Sequence, residues 1–128
     1  MNKACFTQTP DGSIQISTQQ PFTHRHHLEL AFYLLKRYDF FEATHLFARA
    51  IRVLVEAVGA RDKFHCTITL AHLAIVAERM SSNAYPDFES FLINNQDLLN
   101  KKLLHQWYSA RQLNSTTARK IFVLPLTA

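Results

Sequence analysis

The stretch "DFFEATHLFARAIRVLVEAV", residues 39–58, decides the fold. Phe40, Ala43, Phe47, Ala50, Ile51, Leu54 and Val58 recur at steps of three and four residues, so a helix over these positions carries them all on one face. Gly59 follows as a stop signal, because glycine closes helices without the steric cost other residues meet there.

The same reading extends outward in both directions. Thr23 is a good N-cap, and the spacing predicts a first helix over 24–37, with Leu28, Ala31, Phe32 and Leu35 on its apolar face. Downstream, Asp62 is placed to cap a third helix, "KFHCTITLAHLAIVAERM", residues 63–80. It is apolar almost all round between Ile68 and Ala77, which suits a central position; the β-branched Thr67 and Thr69 are its weak point. A loop and a short helix over 86–93 follow, then a helix over 97–105. Ser115 caps one further turn. The closing segment, with Ile121, Phe122, Val123 and Leu124, is expected to dock on the bundle, since an apolar tail is costly to leave wet.

The expected architecture is therefore all-α: a single helical domain over 21–128, a bundle of about five helices with an apolar C-terminal tail. Residues 1–20 form a polar, flexible leader whose one alternating stretch, "SIQIST", reads either as an added strand or as disorder. Composition agrees. With 48% hydrophobic residues and ten Phe, 128 residues can bury a core, and two Gly with four Pro leave few of the turns that many strands require.

No apolar run approaches the roughly 20 residues that span a bilayer, and the N-terminus lacks the apolar centre of a secretion signal. Two cysteines without framework spacing suit a reducing compartment. The expectation is a soluble, cytoplasmic protein with no membrane partner. The net charge of +4 is scattered along the chain, without a basic stripe or a nucleic-acid motif, which disfavours a nucleic-acid partner.

The chemistry-bearing residues gather elsewhere. "PFTHRHHLEL", residues 21–30, holds three histidines in four positions at the start of the first helix. Short connections make successive helices antiparallel, so the starts of the first and third helices share one end of the bundle and His65 comes beside His24, His26 and His27. His24 and His27 stand on one helix face while His26 points away. Three neutral imidazoles with an open fourth position suit a divalent metal, zinc or iron, and the positive end of a helix keeps such rings neutral. The metal set is His24, His27 and His65. In the simpler reading, these histidines bond their neighbours or face water; His45 is a surface residue and His72 a hydrogen-bonded core residue. No paired acids, nucleophile elbow, phosphate loop or dinucleotide turn occurs.

"FTHRHHLELAFYLL", "KFHCTITLA" and "LNSTTARKIFVLP" together resemble a family of small, uncharacterised bacterial proteins. Its members carry Thr-His-x-x-His, aromatic-His-x-Thr-x-Thr and Ser-x-x-Ala-Arg-x-x-Phe-Val-x-Pro segments. The resemblance covers about residues 21–125 and implies polar site positions at Thr23, His24, His27, His65, Thr67, Thr69, Ser115 and Arg119. Two departures stand out: Cys66 and Leu126 occupy places where that pattern often has an acid.

Together these readings lead to a divalent-metal-binding protein with a histidine-cluster pocket, open to a metal-dependent reaction on a small-molecule ligand. His65, Thr67 and Arg119 are the catalytic candidates, with His65 as general base where no metal binds. The alternative is a non-catalytic protein-interaction module in which the His/Thr/Arg cluster is a structural hydrogen-bond network. Nothing in the sequence sets the oligomeric state.

Overall fold

The computed structural model describes residues 22–126 throughout and, in the leader, the backbone of two strands, β1 (Phe6–Gln8) and β2 (Ile14–Ile16). The strands pair antiparallel with Phe6 opposite Ile16, so residues 14–16 within "SIQIST" are extended backbone. The rest of the expected flexible leader lies outside the described residues.

The body is all-α. Among the described residues it has six α-helices: α1 (His24–Arg37), α2 (Phe40–Ala57), α3 (Cys66–Ser82), α4 (Phe88–Ile93), α5 (Ala110–Leu113) and α6 (Thr116–Lys120). None is long and apolar enough to cross a membrane. The first two follow the sequence closely. Asp39 caps α2 by accepting from the Glu42 N–H at 2.9 Å, and Gly59 turns the chain away with φ of 69°.

Helices α1, α2 and α3 pack on one another around a core of Leu28, Phe32, Phe47, Leu73 and Val76, which α4 closes with Phe88 and Phe91. Phe32 and Phe91 meet at 5.2 Å between ring centroids, their planes tilted by 40°. Each fully buried side chain of this size contributes about 1.5–3 kcal/mol. Helix α1 buries Leu30 and Leu34 as well as Leu28, Ala31 and Phe32, while Leu35 is only half-buried. It has α2, α3 and α4 around it, so it is as central as α3.

Two expected boundaries are corrected. Asp62 does not cap the third helix; it lies in a 3-10 turn, Arg61–Lys63, and the helix starts three residues beyond that turn. The cap is His65, whose Nδ1 accepts from the Ile68 N–H at 3.1 Å. The expected helix over 97–105 is instead two 3-10 turns, Gln96–Leu99 and Leu103–Gln106. They part at Asn100, whose backbone is extended and whose side chain accepts from the Lys102 N–H. Helix α5, capped by Ser109, was not expected.

The tail does dock, but by its backbone. Val123 packs beside Leu104, Tyr108 and Leu113, whereas Ile121, Phe122 and Leu124 leave their side chains exposed.

Candidate functional site: an imidazole-lined cavity

The start of α1 is built by its own polar residues. Thr23 Oγ1 accepts from the His26 N–H, and His26 Nδ1 accepts from the Thr23 N–H at 3.0 Å, a reciprocal box with histidine in the place usually held by Glu or Gln. Phe22, just before the cap, packs edge-on against His27 at 4.6 Å. This pins the chain's entry into the helix and commits His26 to capping, leaving His24 and His27 to face inward.

Across from them lies the start of α3. A cavity of about 850 Å³ is lined at one end by His24 and His27 of α1 and by His65, Thr69 and His72 of α3 and its cap. Phe47, Ile51 and Val55 of α2 and Phe64 supply apolar wall. The topology thus brings His24, His27 and His65 to one cavity from positions some 40 residues apart.

The ring nitrogens divide sharply. His65 has none to spare: Nδ1 serves as the α3 cap, and Nε2–H donates to the Leu113 carbonyl at 2.6 Å. Metal coordination or proton transfer through His65 would require breaking one of these bonds. His24 donates from Nε2 to the Leu98 carbonyl at 2.8 Å, which leaves its Nδ1 lone pair. His72 donates from Nδ1 to the Ile68 carbonyl at 2.9 Å; its Nε2 is buried and has no hydrogen-bond partner. The His24 and His72 rings meet edge-to-face at 5.1 Å.

Burial governs the charge of this cluster. Desolvation, reinforced by the neighbouring imidazoles His24, His72 and His26, pulls His27 down from 6.5 to about 4. Desolvation also lowers His72 to about 4, against the opposing effect of its bond to the Ile68 carbonyl. Both rings are neutral at pH 7 and present lone pairs. Among the described residues, however, no three His, Cys, Asp or Glu side chains are placed to hold a metal ion.

Thr67 and Arg119 do not line the cavity. Thr67, fully buried, donates to the Ile121 carbonyl at 2.9 Å and accepts from the Val123 N–H at 3.1 Å. Arg119 donates to the Asp62 carbonyl at 2.9 Å, and Ser115 caps α6. With the His65 bond to Leu113, these side chains fasten the C-terminal segment to α3 and the turn before it. Catalytic candidates read from the sequence thus fall on a structural clamp, and Thr69 alone of the two threonines reaches the cavity.

Sequence reasoning missed His72 as a site residue. It stands two turns beyond His65, a visible spacing, but its orphaned nitrogen depends on tertiary packing. Lys63 and Lys101, also in the lining, carry no sequence signal of their own. Comparisons with family models, with curated proteins and with solved structures find no match to this chain.

Proposed function

We propose that this chain binds a small, largely apolar molecule in the cavity between α1, α2 and α3, in contact with His24, His27 and His72. One observation carries the reading: a cavity with apolar walls is lined by His72, whose buried Nε2 is an acceptor with no hydrogen-bond partner. Such an orphan costs about 1–3 kcal/mol, which a donor on a bound molecule recovers. Cavities of this size and lining, mostly apolar with a few convergent polar atoms, suit small molecules. Two cysteines without framework spacing support a cytoplasmic setting for this role.

The test is titration with the fluorescent apolar amine N-phenyl-1-naphthylamine. Saturable binding at one site is expected, lost when Val55→Trp fills the cavity. Binding that Val55→Trp leaves unchanged would count against the cavity.

A second reading, a divalent metal such as zinc or iron, is favoured by the His24 and His72 ring pair. The lone pairs of His24 Nδ1 and His72 Nε2, with His27 as third imidazole, would hold it after side-chain rotation, and bound metal would supply a polarised water. Elemental analysis of untagged protein after zinc reconstitution decides it. About one equivalent, lost in His72→Ala, is the expected sign of a site; a value that stays far below one rules it out.

A further inference from the structure

The cavity's polar lining is one-sided. It contains Arg25, Lys63 and Lys101 but no Asp or Glu. Arg25 is already engaged, bonded to Glu89 and resting over the Phe88 ring at 5.3 Å. Lys63 and Lys101 are exposed and enter no salt bridge among the described residues; Asp62, next to Lys63 in the chain, is not part of the lining. Exposure separates the groups: Lys63 and Lys101 are exposed residues, whereas the unpaired His72 Nε2 is buried. A rim of uncompensated positive charge attracts anions and repels cations, and low-dielectric walls strengthen that preference.

Building on the small-molecule reading above, we infer that the occupant is an organic anion of a definite pattern. Its negative group meets Lys63 and Lys101 at the rim, its apolar body lies along Phe47, Ile51 and Val55, and an N–H or O–H reaches His72 Nε2. The His72 tautomer fixes the last requirement: with Nδ1–H donated to Ile68, Nε2 can only accept. A bare cation meets none of these groups favourably, apart from imidazole lone pairs.

Two probes separate the charge from the body. 1-Anilinonaphthalene-8-sulfonate and N-phenyl-1-naphthylamine share the same rings and amine N–H and differ by the sulfonate. In low salt the sulfonate is expected to bind about fivefold tighter or more, as two partly exposed charge contacts allow. The double variant Lys63→Gln, Lys101→Gln should bring its affinity to that of the neutral amine, as should high salt, while leaving the amine unchanged. Each probe should displace the other in the unaltered protein, a control that does not depend on the folding of Val55→Trp. Equal affinities, or a gap that survives the double lysine variant, would overturn the anion while leaving the cavity as a neutral-ligand site. If the probes neither displace one another nor respond to Val55→Trp, the small-molecule reading falls and the anion with it.

Discussion

His65 shows how much a single side chain can be asked to do. It begins α3 by accepting from Ile68 and holds the C-terminal segment by donating to Leu113, a tautomer with Nε2 protonated and Nδ1 free to accept. His65→Ala removes both bonds and should lower unfolding free energy by about 2–4 kcal/mol in chemical denaturation, the sum of a lost cap and an unpaired buried carbonyl. His65→Asn, which can still cap, should lose roughly half as much. Equal losses in the two variants would mean that the cap contributes nothing. His27 and His72 act in the opposite sense, since their rings are buried neutral. Their folded values of about 4 lie below the ordinary 6.5, so between these pH values the unfolded chain binds more protons than the folded one. Stability is therefore fully present above about pH 6.5 and falls as pH drops toward 4, by an amount on the order of 2 kcal/mol or more for the two together. The double variant His27→Leu, His72→Leu should flatten that slope in urea titrations at stepped pH.

At the scale of elements, the C-terminal segment is attached in an unusual manner: its backbone is held, and most of its apolar side chains are not. Thr67, Tyr108 and Gln112 bond to Ile121, Val123 and Leu124, while Val123 alone of these side chains packs inward. Thr67→Val keeps the shape of the side chain and deletes the hydroxyl, leaving the Ile121 carbonyl and Val123 N–H without their partner. The expected cost is about 1–3 kcal/mol, with amide exchange at Val123 accelerated and that of the α1 core amides little changed. Uniform acceleration throughout the chain would mean that the tail and the bundle unfold as one unit. Helix α1 offers a smaller test: Thr23→Ala breaks its capping box and should cost about 1 kcal/mol in thermal unfolding.

For the whole molecule, the consequence of three helices packed around Phe32 and Phe47 is a cavity at the end where α1 and α3 begin. A ligand that binds only the folded form raises the melting temperature, and the shift grows with the logarithm of its concentration. Titration with 1-anilinonaphthalene-8-sulfonate should show that rise in the unaltered protein and a smaller one in Lys63→Gln, Lys101→Gln. No rise at saturating probe, as judged by fluorescence, would mean that the probe binds the unfolded chain equally well.

Much of this was legible in the chain. The period of apolar residues in 39–58, the caps at Thr23 and Ser115 and the stop at Gly59 are local signals, because helix formation is governed by neighbours three and four residues away. Antiparallel succession was enough to bring His24, His27 and His65 to one end. The true start of α3 and the division of 97–105 into two turns were not legible, since an imidazole cap and a side-chain bond at Asn100 override propensity there.

What each histidine does was decided only by the tertiary structure. An imidazole has two nitrogens, and the partner of one sets the role of the other. Those partners are remote: the carbonyl of Leu113 for His65, that of Leu98 for His24. A ring read as a ligand thus became a fastener, and one read as core was left with the unpaired nitrogen, because such bonds exist only once distant backbone has been packed against them.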